Sequence, residues 1–342
     1  MPSVPSESII QWVAHAIGQN AEVTIQTSLH GEVSPWLLRV DHEGKTYDVV
    51  LRIPVVGRIE PALILTNATA LLVAEKYELP SPRLIACDRT GDTAGVAASL
   101  ETALPGTSEF PSTLDAEQLR SAGTVMSRIH SVRLDPQPSL PIRTRPIQFD
   151  DYARDRRWAA FFRASSEYQH SVIDAFCTLT GSSIEAAQRV LSRTSSTPLL
   201  QLAEEHVRMY DLPSEPTVFV HGDIWPGNTR WREGGFTALI DWKTAGVGNP
   251  GVDLGSMRMQ VALQYGLAAA EFVRDGWELQ MGRPATQVAY WDAVAALNTP
   301  TKMEGWPGCD PADHPLGSQA VTERRNEFLR QAVDQLAQHP KS

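Results

Sequence analysis

The chain has 342 residues, more than one hydrophobic core usually serves, so two lobes are expected. A hydrophobic content of 42% with 20% charged residues is that of an ordinary soluble globular protein, and the formal net charge of -10 argues against a general nucleic-acid binder while suiting a cationic small partner. Cys87, Cys177 and Cys309 form no metal or redox pattern, the N-terminal residues show no secretory signal, and no apolar run reaches membrane-spanning length; together these fit a cytoplasmic protein without a membrane partner.

Ser6 or Ser8 can cap a first helix in which Ile9, Ile10, Val13 and Ile17 recur at helical spacing before Gly18. The pattern then turns to strands: Val23 to Ile25, Trp36 to Val40 and Tyr47 to Ile53, the last two joined by a turn at Glu43-Gly44. The stretch Ser28 to Pro35 reads on its own as a hairpin turn. A helix follows over Ala62 to Tyr77, with Ile64, Ala68, Leu71, Leu72 and Glu75 as its packed face. Arg83 to Ala86 and Gly95 to Leu100 suggest two more strands, completing an N-terminal antiparallel sheet.

Beyond Gly106 the composition becomes helical. Leu119, Ala122, Met126 and Ile129 form a core stripe that ends at His130, read as a structural histidine. Pro136 to Pro146 is a connecting loop, and helices are expected over Tyr152 to Phe162, Val172 to Leu179, Ile184 to Leu191 and Leu199 to Tyr210. Further helices begin near Asp253 and at Glu271, Val288 and Val321. The Pro- and Gly-rich stretch from Asn298 to Gly317 is long enough to be a functional wall or lid.

The most informative stretch lies between these helices. Val218 to Val220 runs into a turn holding His221 and Asp223, and Pro226-Gly227 tightens the loop before Asn228. Moving a phosphoryl group to a hydroxyl needs a carboxylate to orient the hydroxyl and take its proton, with an oxygen ligand for Mg²⁺ close by. Asp223 and Asn228 fit those two parts. Asp241, at the end of Ala238-Leu239-Ile240, supplies a second metal-binding carboxylate, and a hairpin turning at Gly234-Gly235 would bring it beside Asn228.

With these residues the sequence resembles the aminoglycoside phosphotransferase and choline kinase-like family of small-molecule kinases. The resemblance also takes in Ile240-Asp241-Trp242 through Asp253-Leu254, Leu100 to Gly106, and Ser127 to His130, and covers about four fifths of the chain in order. It implies a bilobal α+β protein-kinase-like fold: an N-lobe over 1–105 with a small antiparallel sheet and a hinge near 101–104, and a mostly helical C-lobe over 106–342. It implies Asp223 as the catalytic base, Asn228 and Asp241 as ligands of Mg²⁺, and His221 and Asp253 as supports of the loop 221–228. ATP or GTP would be bound by Gly31, Ser34, Arg52, Glu101, Ala103 and Ile240, with the backbone of Glu101 to Ala103 pairing with the base.

The implied activity is phosphorylation of a small-molecule hydroxyl, with an aminoglycoside-like acceptor. A metabolite kinase for choline, an amino alcohol or a sugar is the alternative, as is a catalytically weakened nucleotide-binding module. Two departures from the family bear on the choice. Asn67 stands where a helix Glu usually pairs with the strand cation, so Arg52 is expected to be held less firmly or by another acid such as Glu60. Arg230 stands where an apolar residue usually lies beneath the base.

Overall fold

A computed structural model describes residues 4–30, 33–55, 61–143, 197–299, 303 and 317–338. Gly31, Glu60, the expected helices between 152 and 191, and most of the stretch 298–317 lie outside the described residues. Helix α1 (Glu7–Ile17) begins at Ser6, whose hydroxyl accepts the Ile9 amide, and ends at Gly18. Both ends follow from local sequence, since a hydroxyl satisfies an orphan amide at one and a glycine closes the other.

Strands β1 (Glu22–His30), β2 (Val33–His42), β3 (Lys45–Arg52), β4 (Leu84–Asp88) and β5 (Ala98–Thr102) form an antiparallel sheet in the order β1-β2-β3-β5-β4. Side chains alternate between the faces of a strand. Leu38, Val40, Val49, Leu51, Ala98 and Leu100 therefore share one buried face with Ile9 and Val13 of α1. The register Val50↔Glu101 and Arg52↔Ser99 puts these four on the opposite face, where a buried arginine and a buried glutamate become diagonal neighbours.

Helix α2 (Pro61–Lys76) lies where expected, and Ile64, Ala68 and Leu71 of its expected face are buried, but the buried face extends to one side of the expected one. Asn67, Ala70, Leu71 and Ala74, at helical steps of three and four, point inward, whereas Leu72 is 48% exposed and Glu75 is exposed. The reason is tertiary. Besides β4 and β5, this helix packs on the 3₁₀ turn Trp242–Thr244.

The β4–β5 connection is organised by one side chain. Asp88 accepts from the amides of Gly91, Asp92, Thr93 and Ala94 and from the Thr93 hydroxyl. The Ala94 amide, with Thr93 and Gly91 adding to it, outweighs burial and holds the carboxyl well below the usual carboxylate range. A depressed acid stabilises the fold fully above its unfolded value of about 4 and loses that contribution as pH falls below it. Asp88→Ala is expected to cost about 1–3 kcal/mol at neutral pH, because the buried Ala94 amide and the partly buried bonds from Gly91 and Thr93 lose their acceptor. Unfolding by urea between pH 7 and pH 3 checks this: the gap to wild type should narrow on acidification, and a constant gap contradicts the assignment.

The remaining described helices are α3 (Ala116–His130), α4 (Pro198–Met209), α5 (Gly251–Tyr265), α6 (Leu267–Met281), α7 (Val288–Leu297) and α8 (Gly317–Ala337). The stripe Leu119, Ala122, Met126 and Ile129 of α3 is buried, and Asp115 and Gln118 close a reciprocal cap at its start. Helices α3 and α6 approach so closely that a Cβ on Gly123 would stand 2.0 Å from the Val273 carbonyl, and one on Gly276 would stand 2.1 Å from that of Arg120. This contact sets His130 against Trp277. A core of α2, α3, α5 and α6 side chains with Phe219, Trp231 and Trp242 lies beneath the site, and a second core joins α4, α5, α7 and α8.

Short strands complete the frame. Strand β10 (Gly246–Gly248) lies between β6 (Ile142–Arg143) and β7 (Val218–Val220). Strands β8 (Thr229–Arg232) and β9 (Gly235–Leu239) form the expected hairpin, but its turn falls one residue earlier than expected, at Glu233 and Gly234, both at positive φ. Among the described residues, no helix is long and apolar enough to cross a membrane.

Candidate active site

Strand β7 is fully buried and delivers the chain to His221. The next two amides do not continue the sheet. Those of His221 and Gly222 donate to the two carboxylate oxygens of Asp253 at 2.7 and 2.8 Å. Gly222 has φ +80°, and a Cβ there would lie 2.7 Å from the Thr244 carbonyl, so the turn has no room for a side chain. Asp253 is the third residue of α5 rather than its cap, and its carboxylate reaches out of the helix to the loop.

His130 braces Asp253 from behind. The Trp277 indole donates to His130 Nδ1 at 2.9 Å, so the ring proton sits on Nε2, 3.1 Å from Asp253 Oδ2. Burial alone would raise the Asp253 carboxyl, but the His130 bond, helped by the Gly222 amide, holds it below its ordinary range.

His221 is fixed in the same way. Its Nδ1 accepts the Asp223 amide at 3.3 Å, so Nε2 donates to the Ile240 carbonyl at 2.8 Å. The Ile240 amide in turn donates to the Asn228 carbonyl at 2.9 Å. Both backbone groups of Ile240 thus tie β9 to the loop, which brings Asp241 alongside Asn228. The Asn228 side-chain amide donates to the backbone carbonyl of Asp223 at 2.9 Å and to its Oδ2 at 3.1 Å. With its nitrogen committed, Asn228 presents a carboxamide oxygen that has no partner among the described residues.

Asp241 has φ 64° and ψ 59°, a left-handed conformation that a non-glycine residue adopts at some cost. Its Oδ1 accepts from Arg52 Nη1 at 2.8 Å, and its Oδ2 accepts from Lys243. The two acids are driven apart. Burial pushes the Asp223 carboxyl up against the opposing pull of Lys243; at Asp241, burial is outweighed by Lys243 and Arg52, and the carboxyl is held well below its usual range.

Arg52 is held by more than the sequence suggests. Its Nε lies 3.3 Å from both Glu101 oxygens, and its Nη2 lies 3.0 Å from Oε1. Burial would lower the guanidinium, but Glu101 and then Asp241 reverse that and raise it. Asn67 donates to Glu101 Oε2 at 2.7 Å. The expectation of a loosely held Arg52 is therefore corrected, because an acid on β5 does what the expectation sought on α2.

Three more expectations are revised. Glu101 lies within the sheet between β3 and β4 and contributes its side chain to Arg52, rather than a free backbone edge to a base. The Ala103 amide donates to the Asp48 carbonyl at 3.2 Å and is spent in the sheet. Ser34 is 1% exposed, and its hydroxyl accepts the Ile53 amide at 2.9 Å, which braces β2 against the end of β3 instead of facing a phosphate. Arg230 donates to the Ser108 hydroxyl at 2.8 Å, and burial lowers its guanidinium. Lys243, two residues beyond Asp241, is a part of the site that no spacing in the sequence indicated.

A family model described as the phosphotransferase enzyme family matches residues 27–297. The chain belongs to this family. It is accordingly a small-molecule phosphotransferase of the type that acts on hydroxyls. By structure, this phosphotransferase is similar to macrolide 2′-phosphotransferase MphH from Brachybacterium faecium, with 16% identity, a TM-score of 0.54, and coverage of 94% of this chain and 98% of that one. It is also similar to spectinomycin phosphotransferase APH(9)-Ia, crystallised with ADP and spectinomycin, with 14% identity, a TM-score of 0.51, and coverage of 98% of each chain. At such identities the likeness is one of fold: the kinase-like α+β architecture of an antiparallel sheet followed by a helical part. A comparison with curated proteins found no significant match by sequence.

Proposed function

We propose that this phosphotransferase moves the terminal phosphoryl group of ATP or GTP to a hydroxyl of a small molecule, with Asp223 as the base and Mg²⁺ held by Asn228 and Asp241. The observation that carries the reading is the arrangement of Asp223, Asn228 and Asp241, tied to one another through Asn228 and Ile240. A base must sit within hydrogen-bonding reach of the acceptor and be able to take its proton. Burial raises the proton affinity of Asp223, whereas Asp241 is kept ionised by its cations, and such a pair divides naturally into a base and a ligand.

The donor set suits the metal. Asp241 offers a carboxylate, each of whose oxygens keeps a lone pair beyond its bond from Arg52 or Lys243, and Asn228 offers a carboxamide oxygen without a partner among the described residues; these are the hard ligands Mg²⁺ takes alongside water and nucleotide phosphates. Among the described residues, no group of three or more His, Cys, Asp or Glu is arranged to hold a metal. When bound, Mg²⁺ would neutralise charge on the donor phosphates. Arg52, joined to Asp241, would align the same phosphates, and His221, Asp253 and His130 keep the loop rigid so that little reorganisation accompanies the reaction.

APH(9)-Ia, bound to ADP and spectinomycin in its crystal, supports a nucleotide donor and an antibiotic-like acceptor here. The net charge of -10 suits a cationic acceptor, and a cytoplasmic location goes with the nucleotide. A weakened module is disfavoured, since Glu101 removes the argument that Asn67 provided for it. The test is release of nucleoside diphosphate from ATP and GTP with MgCl₂, against aminoglycosides, macrolides, choline and sugars. Stimulation by at least one of them is expected, and no turnover with any of them contradicts the proposal.

A further inference from the structure

We propose that Glu101 is the positioning residue for Arg52 and that Asn67 in turn holds Glu101, so that the acid aiming the phosphate-binding cation belongs to the sheet and not to helix α2. This rests on the reading of Arg52 as a donor-phosphate ligand. A guanidinium has five N–H donors. Nε is shared between the two Glu101 oxygens at 3.3 Å, one N–H of Nη2 goes to Oε1 at 3.0 Å, and one of Nη1 goes to Asp241 at 2.8 Å. One N–H on each terminal nitrogen is left. Pinned along its Nε edge, the fork presents these two in a fixed orientation, as recognition of two phosphate oxygens requires.

The pin is built into the sheet. Arg52 and Glu101 are diagonal neighbours on one face of β3 and β5, so their spacing follows from strand register. Both side chains are nearly inaccessible, at 6% and 2% exposed, and neither charge has water to fall back on. Asn67, at 0% exposed, fixes the remaining carboxylate oxygen from α2 at 2.7 Å without adding a charge. Its orientation follows from chemistry, since the reversed amide would set its oxygen against Glu101. A carboxylate at position 67 would do the same, so Asn67→Glu should weaken the site rather than complete it. The cation is therefore aimed by strand pairing, and α2 contributes one neutral bond to it.

Calorimetry and thermal melting of wild type, Arg52→Ala, Glu101→Gln and the exchange Glu101→Gln/Asn67→Asp test this, with ATP and GTP in MgCl₂ compared with adenosine and guanosine. The exchange keeps both shapes and one buried carboxylate but moves the charge to α2. Glu101→Gln is expected to weaken triphosphate binding by about tenfold or more, as loss of a charge-assisted clasp implies, with nucleoside binding unchanged. The exchange should recover melting temperature but not triphosphate affinity. Recovery of both would show that Glu101 only balances a buried charge, and would overturn the inference. So would wild-type triphosphate affinity in Glu101→Gln alongside its loss in Arg52→Ala, an outcome that leaves the donor-phosphate reading standing. If Arg52→Ala binds triphosphate like wild type, that reading fails and the inference fails with it. Should Glu101→Gln not fold, the exchange alone decides.

Discussion

Asp223→Asn is expected to leave folding and nucleotide affinity near wild type while phosphoryl transfer at saturating substrates falls by about 10²-fold or more, the usual contribution of a positioned base. The substitution is isosteric. Position 223 keeps an oxygen for the Asn228 amide, now at 3.1 Å, and its backbone bonds to His221 and Asn228 are untouched. What disappears is the ability to take a proton from the acceptor hydroxyl. Turnover measured with the acceptor that wild type uses best decides the matter, and a rate within a few-fold of wild type would remove Asp223 from the role of base.

Asp253→Ala has the largest expected effect on stability. Its carboxylate accepts the amides of His221 and Gly222 and the Nε2 proton of His130, all from buried partners. Truncation strands three donors where water cannot replace the acceptor, a loss of about 3–5 kcal/mol of the kind seen when one member of a buried charged pair is removed. The loop between His221 and Asn228 also loses its anchor, so activity should fall further than the folded fraction does. Urea unfolding gives the stability, and a change under about 1 kcal/mol would mean that the loop is held by other bonds.

The loop itself was legible because its logic is local. Asp223 and Asn228 are five residues apart, and Glu233-Gly234 closes a hairpin short enough to return Asp241 to Asn228. The brace at Asp253 was legible through resemblance, and the structure supplies its physical reason in two amides and a histidine. The clasp on Arg52 was not, since it depends on the register of strands whose residues lie 49 positions apart. A signal was present all the same. Arg52 ends the apolar run Val49-Val50-Leu51, Glu101 ends Ala97-Ala98-Ser99-Leu100, and two opposite charges in buried strands need each other.

Other features left no trace in the sequence. Gly123 and Gly276 sit within helices and read there only as weak helix formers, yet they let α3 and α6 meet and so place His130 on Trp277. Leu72 and Glu75 would face inward if the helix had one neighbour, whereas α2 packs on the sheet and on the turn after Asp241. Ser34 and Ala103 stand where the resemblance implies nucleotide contacts, and only the sheet shows the Ser34 oxygen and the Ala103 amide already engaged.

In the proposed site, Asp241 and Asn228 hold a metal on a nucleotide's phosphates beside Asp223. Its most direct test is titration calorimetry of ATP and GTP binding, with and without MgCl₂, to wild type and Asp241→Ala. Wild-type affinity should strengthen with MgCl₂, and Asp241→Ala should lose that response while remaining folded. A variant that keeps the full wild-type response to MgCl₂, or a wild type that shows none, would contradict the account.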